Sequence, residues 1–215
     1  MKKKIKYLKA QYTWNLWLFI SINVVIFWCV LFSRKFELGT INMLWKQILS
    51  KDGVIAALMP IITVIGNGLL SSKIKASLVF WRFKNSLPGC RVFTDIVDKD
   101  PRIDIREFEN RFGGLSTKPT EQNRLWYKLY IKHKDNLIVT ESHKIYLLCR
   151  DLTSLSALFL FLIPIVFLFS DSSLKAKVFY SLFLFFSYIL LAIAARNYGN
   201  RFVCNVLVEE SFSSH

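Results

Sequence analysis

Four stretches without a single ionisable side chain constrain this chain more than any other feature. Residues 14–33, 54–72, 152–170 and 178–195 contain no Asp, Glu, Lys, Arg or His, and run for 20, 19, 19 and 18 residues. At the rise of an α-helix each covers roughly 27–30 Å, the hydrocarbon thickness of a bilayer. One such block fits a buried core helix, but four in 215 residues do not. The expected fold is therefore a mainly α membrane protein with four transmembrane helices. Composition agrees: 53% of residues are hydrophobic and only 20% charged, below the quarter usual in soluble domains. Disorder, a disulfide scaffold and an ordinary soluble enzyme are excluded, while catalysis at a membrane is not.

The flanks of the blocks give an orientation. Lys2, Lys3, Lys4, Lys6 and Lys9 precede the first block, which is longer than a secretory signal core and ends in Ser33-Arg34-Lys35 rather than a small-residue cleavage site. It reads as an uncleaved anchor. If residues 1–13 lie inside, 23 of the 29 Lys and Arg fall on the inner side and 6 on the outer. The positive-inside rule thus places both termini and residues 73–151 in the cytoplasm, beside an inner membrane. The net charge of +14 follows from that topology and from contact with anionic head groups. Direct nucleic-acid binding stays open, because a basic pI alone does not establish it. Trp14, Trp17 and Trp81 suit interfacial anchoring. Cys29, Cys90, Cys149 and Cys204 have no metal-ligand spacing and read as free thiols.

Between the blocks the pattern changes. In the outer segment, 34–53, Ile41, Leu44, Trp45, Ile48 and Leu49 share one helical face, as in a helix lying in the membrane surface or packed on the span ends. The 79-residue insert, 73–151, reads as a small α or α+β module between the second and third spans. Its start continues the second span, with Ile74, Leu78 and Trp81 on one face, and Leu87-Pro88-Gly89 ends that helix. Residues 90–93 read as extended. Asp100-Pro101 starts a helix that Gly113-Gly114 stops. A second helix covers 120–133, residues 137–139 suggest a short strand, and a helix from Ser142 runs into the third span. Arg150 and Asp151 then form a solvated ion pair at the interface. Residues 196–215 remain as a cytoplasmic tail.

Chemistry-bearing motifs are scarce. There is no Gly-rich phosphate loop, no His-Glu-x-x-His and no Gly-x-Ser-x-Gly, so neither a catalytic set nor a cofactor is expected. His133 and His143 read as structural. Asp95, Asp98, Asp100 and Asp104 alternate with Lys99, Arg102 and Arg106, which favours a self-neutralised surface over a cation site. Within the blocks the polar residues are neutral: Asn23, Asn67 between two glycines, and Tyr180, Ser181, Ser187 and Tyr188 along one face. Such residues pack transmembrane helices together, or line a water path once copies assemble. Pro164 marks a kink in the third span.

One string in the insert carries a resemblance. Leu87-Pro88-Gly89-Cys90-Arg91-Val92-Phe93, Asp100-Pro101-Arg102-Ile103-Asp104, Gln122-Asn123-Arg124-Leu125-Trp126-Tyr127, and then His143 with Arg150-Asp151 span about 65 residues. This resembles a family of small multi-pass bacterial membrane proteins of anti-phage systems, including the transmembrane effector of a retron. The resemblance implies a cytoplasmic module that senses or is held by a partner, such as a reverse transcriptase–nucleic acid complex encoded nearby. It also implies spans that damage the inner membrane when released, as homo-oligomers, leading to abortive infection. Arg91, Asp100, Arg102, Asp104, Gln122, Asn123, Trp126, Tyr127, His143, Arg150 and Asp151 become candidate partner contacts on that basis. The alternative is a membrane-anchored subunit that recruits a defence nuclease or ribonucleoprotein.

Overall fold

The computed structural model describes residues 3–31, 51–170 and 172–213. The surface helix expected at Ile41, Leu44, Trp45, Ile48 and Leu49 lies outside them. Seven α-helices lie among the described residues: α1 (Lys3–Leu31), α2 (Lys51–Leu69), α3 (Ser72–Phe80), α4 (Ile105–Phe112), α5 (Pro119–His133), α6 (Leu137–Leu168) and α7 (Leu174–Phe212). Tight 3-10 turns at Pro88–Arg91 and Val97–Lys99 flank a single wider π turn at Val92–Ile96. No strand occurs among the described residues. The chain is mainly α. Part of α1 (Ala10–Leu31), α6 and α7 are long and apolar enough to cross a membrane, and the broken pair α2–α3 makes a fourth span if counted as one.

The chain divides into two compact units. One, the bundle, comprises Met1–Ser71 and Asp151–Leu191; the other, the module, comprises Ser72–Arg150 and Ala192–His215. Helices α6 and α7 each contribute to both.

In the bundle, α1 buries Tyr12, Leu16, Ile20, Asn23, Phe27 and Leu31, a stripe at spacings of three and four residues. Helix α6 answers with Leu155, Phe159, Ile163 and Phe167 at every fourth position. Phe27 meets Phe167 at 5.7 Å between ring centroids and Phe19 meets Phe159 at 6.4 Å. The opposite faces are equally apolar: Trp14, Val25, Phe161, Leu168, Phe179 and Leu190 are all exposed. In water that surface would be costly, at about 25 cal/mol per Å²; against hydrocarbon it is not. Helix α6 remains one helix through Pro164. Lys177 Nζ donates to Phe167 O in the last turn of α6 at 2.8 Å and to Ser170 O just beyond the helix end at 2.6 Å, a cation at a helix C-terminus.

The module has a core of its own. Val79, Val92, Val97, Phe108, Trp126, Phe202, Val203 and Leu207 are buried in one cluster. The last turns of α7, read from sequence as a tail, therefore belong to this core. Helix α4 is capped as its residues dictate: Asp104 accepts from Arg106 N at 2.9 Å, and Gly113 takes the left-handed conformation at φ 70.

Several local expectations are corrected. The second span does not continue into the insert; the helix is interrupted at Leu70 and Ser71. Helix α3 ends at Phe80, well before Leu87-Pro88-Gly89, with Trp81 at φ 53. Residues 90–93 are helical turns rather than extended. Gly89 lies so close to α5 that a Cβ there would meet Asn123 Oδ1 at 2.6 Å and Trp126 Cε3 at 2.9 Å, and this contact coils the segment onto the helix. Pro101 lies in a turn, and α4 starts at Ile105. Residues 137–139 form the first turn of α6 rather than a strand, because Asn136 Oδ1 accepts from Ile138 N at 2.8 Å and starts the helix there.

Candidate functional site

Polar groups inside the bundle are few and specifically placed. Tyr180 OH donates to Asn23 O at 2.8 Å, so these two residues from α7 and α1 come together. Asn23 Nδ2 donates to Phe19 O at 2.9 Å and Thr63 Oγ1 to Met59 O at 2.7 Å, each one turn back in its own helix. Among the described residues of the bundle, three buried side-chain atoms have no hydrogen-bond partner: Asn23 Oδ1, Asn67 Oδ1 and Ser156 Oγ. A buried acceptor left unmade costs about 1–3 kcal/mol. Asn67 lines a cavity of about 350 Å³ together with Thr13, Leu16, Trp17, Gly68 and Leu155. Ser181 lines a shallow crevice beside Pro164. Ser187 and Tyr188 are half-buried on α7.

Asp151, expected in a solvated ion pair, is buried instead and accepts from Tyr12 OH at 3.4 Å. Arg150 belongs to the module, where its charge acts on His143.

In the module, much of the motif string turns out to hold the fold. Gln122 is 2% exposed. Its Oε1 accepts from Phe93 N at 3.1 Å and its Nε2 donates to Thr117 O at 3.2 Å, tying the coiled segment to α5. Asn123 abuts Gly89, and Trp126 Nε1 donates to Val203 O at 3.3 Å. His143 stacks on Phe202 at 4.5 Å and shares a hydrogen bond of 3.1 Å with Tyr130 OH. Burial, reinforced by the Arg150 charge, pushes its pKa down to about 4, so at neutral pH it is an uncharged ring among aromatics. Tyr127 is exposed, beside Tyr130. Asp104 is the cap of α4.

Arg91, Asp100 and Arg102 are different. Asp100 is held by Arg102 through Nε at 2.8 Å and Nη2 at 2.6 Å, and this hydrogen bonding keeps its carboxyl below the usual range despite partial burial. Arg102 Nη2 also reaches Asn205 Oδ1 at 3.2 Å. Arg91 lies 4.6 Å from the Phe80 ring centre, with Nη1 buried and unbonded. Burial, and then the charge of Arg82, lower its pKa. Nearby, Arg196 sits 3.6 Å over the Trp81 ring while its Nε donates to Val79 O at 2.6 Å, closing the end of α3.

Sequence reading missed Glu210. Its side chain is 2% exposed and takes two cations and an imidazole: Arg111 Nη2 at 2.6 Å, Lys132 Nζ at 2.9 Å and His133 Nε2 at 2.6 Å. Burial raises its pKa, but the hydrogen bonds from His133 and Lys132 and the Arg111 charge outweigh that and hold it below the ordinary value. Adjacent Glu209 accepts from Asn136 at 2.6 Å. The available signal was a pair of acids on the apolar run that ends α7. No cluster of three or more metal-ligating side chains occurs among the described residues. No family model, curated protein or solved structure matches the chain.

Proposed function

We propose that this chain is a membrane effector of a bacterial anti-phage defence. Copies assemble in the inner membrane with both termini cytoplasmic, the module receives a signal or a partner, and the assembled spans lower the barrier of the bilayer. The observation that carries the membrane part is the set of buried, unpartnered polar atoms at Asn23, Asn67 and Ser156 in otherwise apolar helices. In hydrocarbon such groups seek water or a polar group on another helix, and both arise when the spans of assembled copies rearrange to turn these buried atoms toward a common path. Helices α6 and α7, shared by the two units, provide a continuous route by which an event at the module reaches the spans. The anti-phage setting and a reverse transcriptase–nucleic acid partner rest on the resemblance of the motif string alone.

The test is expression in bacteria with a membrane-potential dye, alone and with neighbouring genes during phage attack. Depolarisation by the wild type, reduced severalfold by Asn23→Leu with Asn67→Leu at equal protein level, supports the reading. Normal polarisation throughout, or identical depolarisation by the double variant, overturns it.

One observation favours the second reading, a membrane-anchored recruiting subunit: the module has its own core and carries 18 basic against 11 acidic residues. Protection that survives replacement of the apolar blocks by unrelated spans would select it.

A further inference from the structure

The module contains a cleft of about 400 Å³, lined on one side by Ile96, Lys99, Asp100 and Arg102 and on the other by Asn200, Arg201 and Cys204 of α7. Its charges are unevenly satisfied. Asp100 and Arg102 neutralise each other through two short hydrogen bonds. Arg102 is further engaged by Asn205, and the Cys204 thiol beside Asp100 has its pKa pushed up to about 12, mainly by burial. That pair is a closed unit. Lys99 and Arg201 line the same cleft, are exposed, and form no ion pair with any carboxylate among the described residues. Asn200 contributes a buried Oδ1 with no hydrogen-bond partner. Rotation about its last side-chain torsion presents either end of the amide to the cleft.

We propose that this cleft binds a phosphorylated small molecule. Lys99 and Arg201 hold the phosphate through charge-assisted hydrogen bonds, and the Asn200 amide accepts from a hydroxyl or amino group on the same ligand. Buried polar groups are normally satisfied, and the volume lies within the range of small-molecule sites. The Asp100–Arg102 pair is uncharged overall, so Lys99 and Arg201 set the sign of the cleft. This inference stands apart from the membrane reading, because its readout is binding.

The same phosphate chemistry comes from a soluble nucleotide or from a lipid head group, and two arms separate them. In the first, the full chain in uncharged detergent is titrated with ATP and with pyrophosphate by calorimetry. In the second, its thermal stability is compared in phosphatidylcholine nanodiscs with and without phosphatidylglycerol. Lys99→Ala with Arg201→Ala is expected to weaken binding at least tenfold and Asn200→Ala about threefold. Arg124→Ala with Lys128→Ala, two exposed cations on α5, is expected to change it less than twofold. Loss confined to the soluble arm identifies a nucleotide-like ligand; loss confined to the phosphatidylglycerol dependence identifies a lipid phosphate. The proposal is overturned by absence of binding in both arms, by a double variant that binds like wild type, or by an equal loss in the α5 control. Lys99 and Arg201 are exposed, so their removal leaves the core intact; unchanged labelling of the buried Cys90 thiol checks this.

Discussion

The bundle and the module treat polarity in opposite ways. In the bundle the outward faces of α1, α6 and α7 are Trp, Phe, Leu and Val, and the sparse polar atoms lie inside. In the module the apolar residues form a closed core and the charges pair at its margin around Glu210 and Asp100. The same helices, α6 and α7, obey one rule along one half and the other rule along the rest. The difference teaches that solvent, rather than helix propensity, decides where each side chain goes. A helix surrounded by lipid gains nothing from hiding leucine, whereas one in water gains about 2 kcal/mol for each.

Breaking the charge hub should give the largest effect. Glu210→Ala removes the shared acceptor of Arg111, Lys132 and His133 and is expected to cost the module about 3 kcal/mol, the low end for a broken buried ion pair, because Lys132 and Arg111 keep contact with water. Labelling of the buried Cys90 thiol measures it, because that group reacts only when the module opens; unchanged protection would refute the hub. Acid comes next. His143 has its pKa pushed down to about 4, so below about 6.5 the unfolded chain takes up a proton that the folded module refuses. Stability should therefore fall as pH drops from about 6.5 to 4, by up to about 3 kcal/mol. His143→Gln should flatten that slope in a denaturant series at each pH. A slope unchanged by the substitution would assign it elsewhere.

The sharpest comparison uses similar swaps in the two units. Gln122→Leu removes the acceptor of the buried Phe93 N–H and is expected to destabilise the module by about 2 kcal/mol. Asn23→Leu removes an unpartnered oxygen from the bundle and is expected to change its stability by less than about 1 kcal/mol, as polar contacts between membrane helices usually do. Unfolding in mixed detergent, read by Cys90 labelling for the first and by Trp fluorescence for the second, ranks them. The reverse order would mean that the bundle is organised by its polar atoms.

The helical class was legible because uncharged runs of 18 residues or more are read by length alone. Helix α4 was legible through the glycines that stop it, and α5 as the helix read over 120–133. The misread elements share a physical cause. Residues 90–93 and 137–139 are rich in β-branched or apolar side chains, yet close approach at Gly89 and the cap at Asn136 override that preference. The break at Leu70 and Ser71 had no Pro or Gly at the spot to announce it. Among the candidate contacts, Gln122, Asn123, Trp126 and His143 were noticed as a pattern, but their work is internal. The cleft and the Glu210 hub were invisible because each joins residues about eighty to a hundred or more positions apart.

That the module is completed by residues 192–212 has a consequence for biogenesis. Residues 72–150 emerge from the ribosome first, but Phe202, Val203 and Leu207 follow only after residues 151–191 have been made. Until then Val79, Val92 and Trp126 lack their partners. The nascent module is an open half-core, so synthesis of residues 151–191 must precede its closure, and a stalled chain would expose this surface to chaperones and proteases.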